Sequence, residues 1–102
     1  MNIKDKVIIV TGAGRGIGRE IALLCAAEGA KVVVNDPGGA ADGAGNSAAP
    51  AEEVVAEIKK RGGIAVPDFE SVAEDIPASK IVKTATDHFG RLDGVVNNAY
   101  IL

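Results

Sequence analysis

The sequence predicts an α/β protein built on a parallel sheet. Three observations lead to this prediction: short apolar runs alternate with helical patterns in the order β-α-β-α-β-α-β, the first run leads directly into a glycine-rich loop, and the second run ends on an acidic residue. Strands that are buried on both faces of a parallel sheet are continuously apolar, as these runs are. The 102 residues are enough for one domain at most.

The first strand and the loop after it indicate a phosphate site. Val7–Thr11 is the apolar run, and glycines follow it at positions 12, 14, 16 and 18. Glycine lacks a Cβ atom, so the chain can turn tightly and bring its amides close to a bound group. The free N–H groups at the start of the next helix favour an anion, most often a phosphate. The general fingerprint G-x-G-x-x-G does not fit, because it would require glycine at Ile17 or Arg19. The spacing is T-G-x-x-x-G-x-G, which we interpret as the pyrophosphate site of a dinucleotide.

The residues after the loop predict a helix of about three turns. The positions expected to form its repeating inward side are Ile17, Ile21, Leu24, Cys25 and Glu28. Gly29 is the predicted C-terminal stop. Because Cys25 lies within this pattern, we interpret it as a small buried apolar residue rather than a reactive thiol.

The second strand, residues 31–36, is predicted from three consecutive valines and ends on Asp36. A carboxylate about 18 residues beyond Gly18, at the carboxyl end of a strand, can accept hydrogen bonds from both hydroxyls of an adenosine ribose. It would also repel a 2′-phosphate, which predicts NAD in preference to NADP. Arg15 is the competing consideration, because a guanidinium beside the loop could neutralise such a phosphate.

The rest of the chain continues the alternation. Residues 37–49 form a long loop rich in small and polar residues, which is either functional or a surface insertion. A helix is predicted over residues 50–61, and a third strand over residues 64–69, where Pro67 indicates a sheet edge. A third helix is expected from about Asp75 to Phe89, and a fourth strand over residues 94–97 ends in two asparagines.

Composition excludes several classes of function. A net charge of −3 and an aromatic content of 3% argue against a nucleic-acid partner. No apolar stretch reaches the roughly 20 residues that cross a bilayer, so we expect no membrane span and a cytoplasmic location. His88 falls in the last turn of the third helix, where it suits the helix dipole. Because Cys25 is expected to be buried, we find no candidate for a nucleophile, a general base or a metal cluster in the sequence. We therefore predict no catalytic or metal site.

The glycine motif from Thr11 to Gly18, followed by Asn97-Asn98-Ala99, resembles the short-chain dehydrogenase/reductase family over the whole chain. The resemblance implies a Rossmann-type three-layer α/β/α fold with a parallel sheet in strand order 3-2-1-4, and a nicotinamide cofactor. Residues 1–102 would then be the N-terminal part of a single NAD(P)-binding domain. The run V-V-V-N-D-P-G-G, the Gly/Ala-rich loop and I-K-K-R-G-G look most like the branch with the 3-hydroxyacyl-CoA dehydrogenase part of peroxisomal multifunctional enzymes.

Roles can be carried over from the family by position. The residues that would line the pyrophosphate are Gly12, Arg15, Gly16, Ile17 and Gly18. Asp36 would take the adenosine ribose, and Asn97, Asn98 and Ala99 would lie along the cofactor. Ser71 and Val72 stand where the family usually has Asp-Val against the adenine, and Tyr100 stands where it has glycine.

The family's catalytic residues, a Ser, a Tyr-x-x-x-Lys pair and an Asn, come after the asparagine strand, and this sequence stops at Leu102. We therefore expect the chain to supply dinucleotide binding only and to be inactive alone. A complete enzyme would transfer hydride between nicotinamide and an alcohol or ketone, with a hydroxyacyl thioester as one candidate. The alternatives are a non-catalytic nucleotide-binding module and a methyltransferase-like domain that binds S-adenosylmethionine. The fourth strand would leave an unpaired sheet edge, so we expect a homo-oligomer.

Overall fold

A computed structural model of the chain describes residues 2–38, 49–70 and 78–98. Its elements in chain order are β1 (Val7–Thr11), α1 (Gly16–Ala27), β2 (Lys31–Asn35), α2 (Ala49–Lys60), β3 (Ile64–Asp68), α3 (Ala78–Phe89) and β4 (Gly94–Val96). All strand pairings are parallel, and the strand order is β3-β2-β1-β4. This confirms the predicted Rossmann-type sheet in order 3-2-1-4. Segment 39–48 and the predicted start of the third helix at Asp75 lie outside the described residues.

The register of the sheet brings the carboxyl ends of the strands to one edge. Thr11 at the end of β1 is opposite Asn35 at the end of β2, and Asn35 is opposite Asp68 at the end of β3. On the other side of β1, Val10 is opposite Val96 at the end of β4. Each βαβ crossover returns the chain to the amino ends of the strands, so every strand runs in the same direction. The glycine loop and the polar ends of the strands therefore lie together at the carboxyl ends of the sheet.

Two separate hydrophobic clusters cover the two faces of the sheet. On one face, α1 and α2 pack against alternate side chains of the central strands, and Val54 and Ile58 of α2 are 1% exposed. On the other face, Ile81 and Ala85 of α3 pack against Val33 and its neighbours. The central strands are therefore apolar at successive positions because both of their faces are buried. Pro67 belongs to β3, the outermost strand, which confirms the predicted edge position.

The inward side of α1 differs from the predicted one. Ile17 is 73% exposed and Leu24 is 54% exposed, and Glu28 also faces solvent. The buried residues of α1 are Gly18, Ala22, Leu23, Cys25 and Ala26. Most of these are small, which lets the helix axis come close to the sheet and to α2. The prediction was wrong for Ile17, Leu24 and Glu28, because it followed spacing and the largest apolar side chains. It is confirmed for Cys25, which is buried, and for Ile21, which is partly buried and packs against the core.

The three helices are each 12 residues long. None of the helices in the described part of the chain has the length and apolar character needed to span a membrane.

Candidate functional site

The glycine loop makes the turn from β1 into α1. Gly12 and Gly16 have φ angles of 61° and 62°. These angles lie in the left-handed region, which is unfavourable for residues that have a Cβ atom. Gly18 is needed for a different reason: a Cβ there would meet the backbone oxygen of Gly12 and would lie 2.5 Å from Asn98 Nδ2. By contrast, a Cβ at Gly16 would have nothing within 4 Å, so this position faces open space. At Gly16, where α1 begins, the loop thus presents backbone alone.

The N-terminus of α1 is open to an anion. Arg15 is the N-cap residue, with an extended backbone, and its side chain makes no capping hydrogen bond. No acidic residue lies in the first turn. The N–H groups of that turn therefore have no capping side chain, and the positive end of the helix dipole is not offset by a carboxylate. Arg15 itself is exposed beside them.

Asp36 lies directly beside the glycine loop. Its Oδ2 accepts a hydrogen bond from the N–H of Gly14 at 2.9 Å, and its Oδ1 accepts one from the N–H of Gly38 at 2.7 Å. A Cβ at Gly14 would lie 2.6 Å from Asp36 Oδ2, so only glycine lets the two segments approach this closely. Each carboxylate oxygen can accept more than one hydrogen bond, so the half-buried group keeps capacity for ribose hydroxyls. Gly14 was missing from the predicted contacts, although its place in the alternating glycines was a signal for it.

The end of β4 is joined to the loop through Thr11. Its Oγ1 accepts a hydrogen bond from the N–H of Asn98 at 2.9 Å and donates towards Asn97 Oδ1 at 3.1 Å. The Nδ2 group of Asn98 also donates to the backbone oxygen of Gly12 at 3.3 Å. The two asparagines therefore lie next to the glycine loop, with Asn97 exposed and Asn98 half-buried. Thr11 was not among the predicted site residues, although its place as the first residue of the glycine motif was a signal for such a role.

A second polar cluster lies at the ends of β2 and β3. Asn35 is 0% exposed and donates from Nδ2 to Asp68 Oδ1 and to the backbone oxygen of Glu70, both at 2.9 Å. Asp68 Oδ2 accepts from Thr84 Oγ1 on α3 at 2.5 Å. No pattern in the sequence predicts this cluster, because a single Asn and a single Asp at strand ends carry no spacing motif. Ser71, Val72, Ala99 and Tyr100 lie outside the described residues.

Within the described ranges, the environments of Cys25 and His88 do not favour a role as nucleophile or general base. Burial raises the pKa of the Cys25 thiol, which disfavours the nucleophilic thiolate. His88 is exposed on the last turn of α3, with Nδ1 2.9 Å from the backbone oxygen of Thr84. Within residues 2–38, 49–70 and 78–98, no group of three or more His, Cys, Asp or Glu side chains could hold a metal ion. What the geometry can do is bind a phosphorylated ligand at the carboxyl edge of the sheet.

The family model described as short chain dehydrogenase matches residues 6–101. The chain belongs to the short-chain dehydrogenase family. Membership explains why the glycine loop, the strand order and the asparagines at the end of β4 occur together in one chain.

Individual members of the short-chain dehydrogenase family match closely. A short-chain type dehydrogenase/reductase of Mycobacterium tuberculosis is 59% identical over 100 residues, covering 98% of this chain and 35% of that protein. The peroxisomal hydratase-dehydrogenase-epimerase of Saccharomyces cerevisiae is 51% identical over 102 residues, covering 100% of this chain and 11% of that protein. The structure of a 7α-hydroxysteroid dehydrogenase complexed with NADH and 7-oxo glycochenodeoxycholic acid matches with a TM-score of 0.81 at 35% identity, covering 94% of this chain and 34% of that one. The chain thus spans about a third or less of the length of these proteins.

Proposed function

We propose that this chain binds NAD as the dinucleotide-binding part of a short-chain dehydrogenase. The observation that carries the proposal is the position of Asp36, whose carboxylate lies beside the glycine loop at the carboxyl end of β2. In open parallel sheets, ligands bind outside the carboxyl ends of the strands. A carboxylate in that place suits the two hydroxyls of an adenosine ribose, and the uncapped start of α1 suits the pyrophosphate.

The cofactor would extend along one edge of the sheet. The residues proposed to contact its pyrophosphate are Gly12, Arg15, Gly16, Ile17 and Gly18. Open space at Gly16 and the exposure of the Ile17 side chain are compatible with this role. On the adenosine side, Asp36 would bind the ribose, and Ser71 and Val72 would contact the adenine. Towards the nicotinamide, the cofactor would pass Asn97, Asn98 and Ala99.

The preference for NAD over NADP follows from charge. A 2′-phosphate would place a second anion against Asp36, and two like charges at about 4 Å repel by about 1 kcal/mol in water and about 4 kcal/mol near a protein surface. Arg15 is the only nearby motif residue that could offset this repulsion, and it is exposed, where solvent screens its charge. Asp36 is half-buried and held by two backbone N–H groups. The carboxylate therefore outweighs the guanidinium.

The reaction we propose for the whole enzyme is hydride transfer to or from an alcohol or ketone. When bound, NAD supplies the hydride acceptor, and the residues of this chain bind and orient it. In the described part of the chain, neither Cys25 nor His88 is placed as a general base, so we propose that the chain alone has no dehydrogenase activity. A hydroxyacyl thioester is the candidate substrate, because the sequence resembles the 3-hydroxyacyl-CoA dehydrogenase branch and a peroxisomal hydratase-dehydrogenase-epimerase is among the relatives.

Titration of the 102-residue chain with NAD, NADP and S-adenosylmethionine by calorimetry tests the binding proposal. We expect NAD to bind most tightly and Asp36→Asn to reduce the preference for NAD over NADP, because it removes the repelling charge. Glu28→Gln, an exposed charge change at the opposite end of α1, is the matched control and should leave the preference unchanged. Tighter binding of NADP than NAD would contradict the role of Asp36, and tighter binding of S-adenosylmethionine would contradict the cofactor class.

A non-catalytic nucleotide-binding module is the second candidate, because the described residues offer no acid–base pair. Dehydrogenase activity of the whole enzyme, rather than of this chain, would separate the two. Hydride transfer by the 102-residue chain with a secondary alcohol would contradict the proposal that it only binds the cofactor. We also propose a cytoplasmic location and a homo-oligomeric state. For the oligomer, the supporting observation is that β4 pairs on one side only within the described sheet.

A further inference from the structure

The cluster formed by Asn35, Asp68 and Thr84 has no part in the contacts assigned above. Asn35 is 0% exposed and Asp68 is 5% exposed, and no Lys or Arg in the described part of the chain forms an ion pair with this carboxylate. A buried carboxylate without a cation depends on hydrogen-bond donors. Asp68 has three: Asn35 Nδ2 and the N–H of Glu70 on Oδ1, each at 2.9 Å, and Thr84 Oγ1 on Oδ2 at 2.5 Å. The donors belong to β2, the turn after β3 and α3.

The cluster holds both backbone groups of Glu70. The N–H of Glu70 donates to Asp68 Oδ1, and its carbonyl oxygen accepts from Asn35 Nδ2 at 2.9 Å. Because both acceptors of the Nδ2 group are oxygens, the orientation of the Asn35 amide is determined by these two bonds. Its Oδ1 is buried and accepts no hydrogen bond from the described residues. Buried polar atoms in proteins almost always have a hydrogen-bond partner. The amide is thus oriented for Glu70 and Asp68 at the expense of its own oxygen.

Asn35 and Asp68 are also connected to Asp36, the proposed ribose contact. Asn35 immediately precedes Asp36, and the N–H of Asp36 donates to the backbone oxygen of Asp68 at 2.9 Å. Glu70 immediately precedes Ser71 and Val72. Asp36, the proposed ribose contact, is therefore one residue from Asn35, and Ser71, the first proposed adenine contact, is one residue from Glu70 in the sequence.

We propose that Asn35, Asp68 and Thr84 are positioning residues that hold Asp36 and Glu70 at a constant separation, so that the adenosine half of the cofactor meets groups that are already ordered. This inference rests on the proposed function. It follows from the general rule that a site whose groups are already ordered loses less free energy on binding. None of the three side chains needs to touch the cofactor, because each acts through Asp36 or Glu70. Loss of the Thr84 hydroxyl leaves Asp68 Oδ2 without its donor and frees the carboxylate to turn away from Glu70.

Binding of two probes to the 102-residue chain, measured from backbone amide NMR shifts, tests this inference. ADP-ribose contains the adenosine half of the cofactor, whereas inorganic pyrophosphate occupies only the anion site. Thr84→Val is isosteric and lacks the hydroxyl donor, whereas Thr84→Ser keeps it. Thr86→Val is the matched control, because Thr86 is exposed on the same helix and its Oγ1 donates to the backbone oxygen of Lys83 at 3.2 Å. We expect Thr84→Val to weaken ADP-ribose by about tenfold, the equivalent of about 1.4 kcal/mol, and to leave pyrophosphate within about twofold.

Each result of these titrations decides the matter. Wild-type affinity for ADP-ribose in Thr84→Val, or an equal loss for both probes, would overturn the positioning role, as would failure of Thr84→Ser to restore binding. A measurement on the wild-type chain does not depend on whether a variant folds: the NMR signal of the Glu70 amide should shift with ADP-ribose and not with pyrophosphate. A Glu70 amide that does not respond to bound ADP-ribose would also overturn the role. If the wild-type chain itself does not bind ADP-ribose, the proposed function fails first.

Discussion

Replacing Gly18 by alanine tests the contact on which the glycine loop depends. A Cβ at position 18 would meet the backbone oxygen of Gly12 and lie 2.5 Å from Asn98 Nδ2. The amide of Asn98 can rotate away, but the Gly12 oxygen belongs to a turn with a left-handed residue and moves only if the loop or α1 shifts. Forcing an additional carbon into a close-packed contact costs about 1–3 kcal/mol.

An opposite effect makes the sign of the result informative. Gly18 lies inside α1, and alanine is the better helix former by about 1 kcal/mol at an open helical position. Because the clash is with backbone, we expect its cost to lie in the upper part of that range and to outweigh the gain, with a net loss of up to about 2 kcal/mol. In a domain of this size each kcal/mol lowers Tm by about 4–8 °C.

The assay is urea unfolding followed by circular dichroism, with wild type, Gly18→Ala and Ala27→Gly measured together. Ala27 is exposed in the last turn of α1, so Ala27→Gly reports the helix propensity alone, with an expected loss of about 0.5–1 kcal/mol. Gly18→Ala should also bind NAD more weakly, because the loop that it displaces is the proposed pyrophosphate site. A Gly18→Ala protein more stable than wild type would refute the reasoning, since the gain in helix propensity would then be unopposed.

Three further predictions concern pH, the core and the sheet edge. The side-chain hydrogen bond from Arg91, followed by one from a backbone N–H of β1, lowers the pKa of Asp93. Because the folded state has the lower pKa, this carboxylate stabilises the fold above the ordinary aspartate pKa of about 3.9, and the contribution is lost as the pH falls below it. Urea midpoints should therefore decline less steeply with falling pH in Asp93→Asn, and parallel curves would contradict this. Ile58 is 1% exposed, so Ile58→Ala should cost about 2–5 kcal/mol of unfolding free energy, whereas Ile17→Ala, at a position 73% exposed, should cost less than about 0.5 kcal/mol. Equal losses in urea unfolding would mean that the exposed side of α1 is wrongly identified. Val95 is 54% exposed on β4, so Val95→Lys should reduce self-association of the chain, and sedimentation that gives wild type and variant the same mass at every concentration would argue against this.

Most of the fold could be predicted because its elements have local signatures. Three consecutive valines predict β2, since only a strand with both faces buried tolerates an unbroken apolar run. Pro67 predicts the edge strand, because proline has no N–H for a second neighbour. The side of α1 that is buried was predicted only in part, because Ile21 and Cys25 pack inward but Ile17 and Leu24 do not. Spacing marks the large apolar residues Ile17 and Leu24, whereas the helix packs closely through smaller ones such as Ala22.

The candidate site divides in the same way. The glycine spacing and an acidic residue after β2 are visible in the sequence, and the structure places Asp36 within hydrogen-bond distance of Gly14. The cluster of Asn35, Asp68 and Thr84 has no such spacing, because its members come from three elements that meet only in the folded chain. A polar residue at the end of a strand has the same local signature whether it faces solvent or is buried under a helix.

By itself, the sequence determined the order of strands and helices, the glycine turn and the acidic residue expected to meet a ribose. These depend on local requirements: repeats of about two and 3.6 residues, and backbone angles that only glycine adopts readily. Only the tertiary structure decided which side of α1 is buried, that Gly14 holds Asp36 across 22 positions, and that Asn35 holds Asp68 across 33. The partner of a buried polar group depends on strand order and register, because these set which residues the neighbouring strand places opposite it.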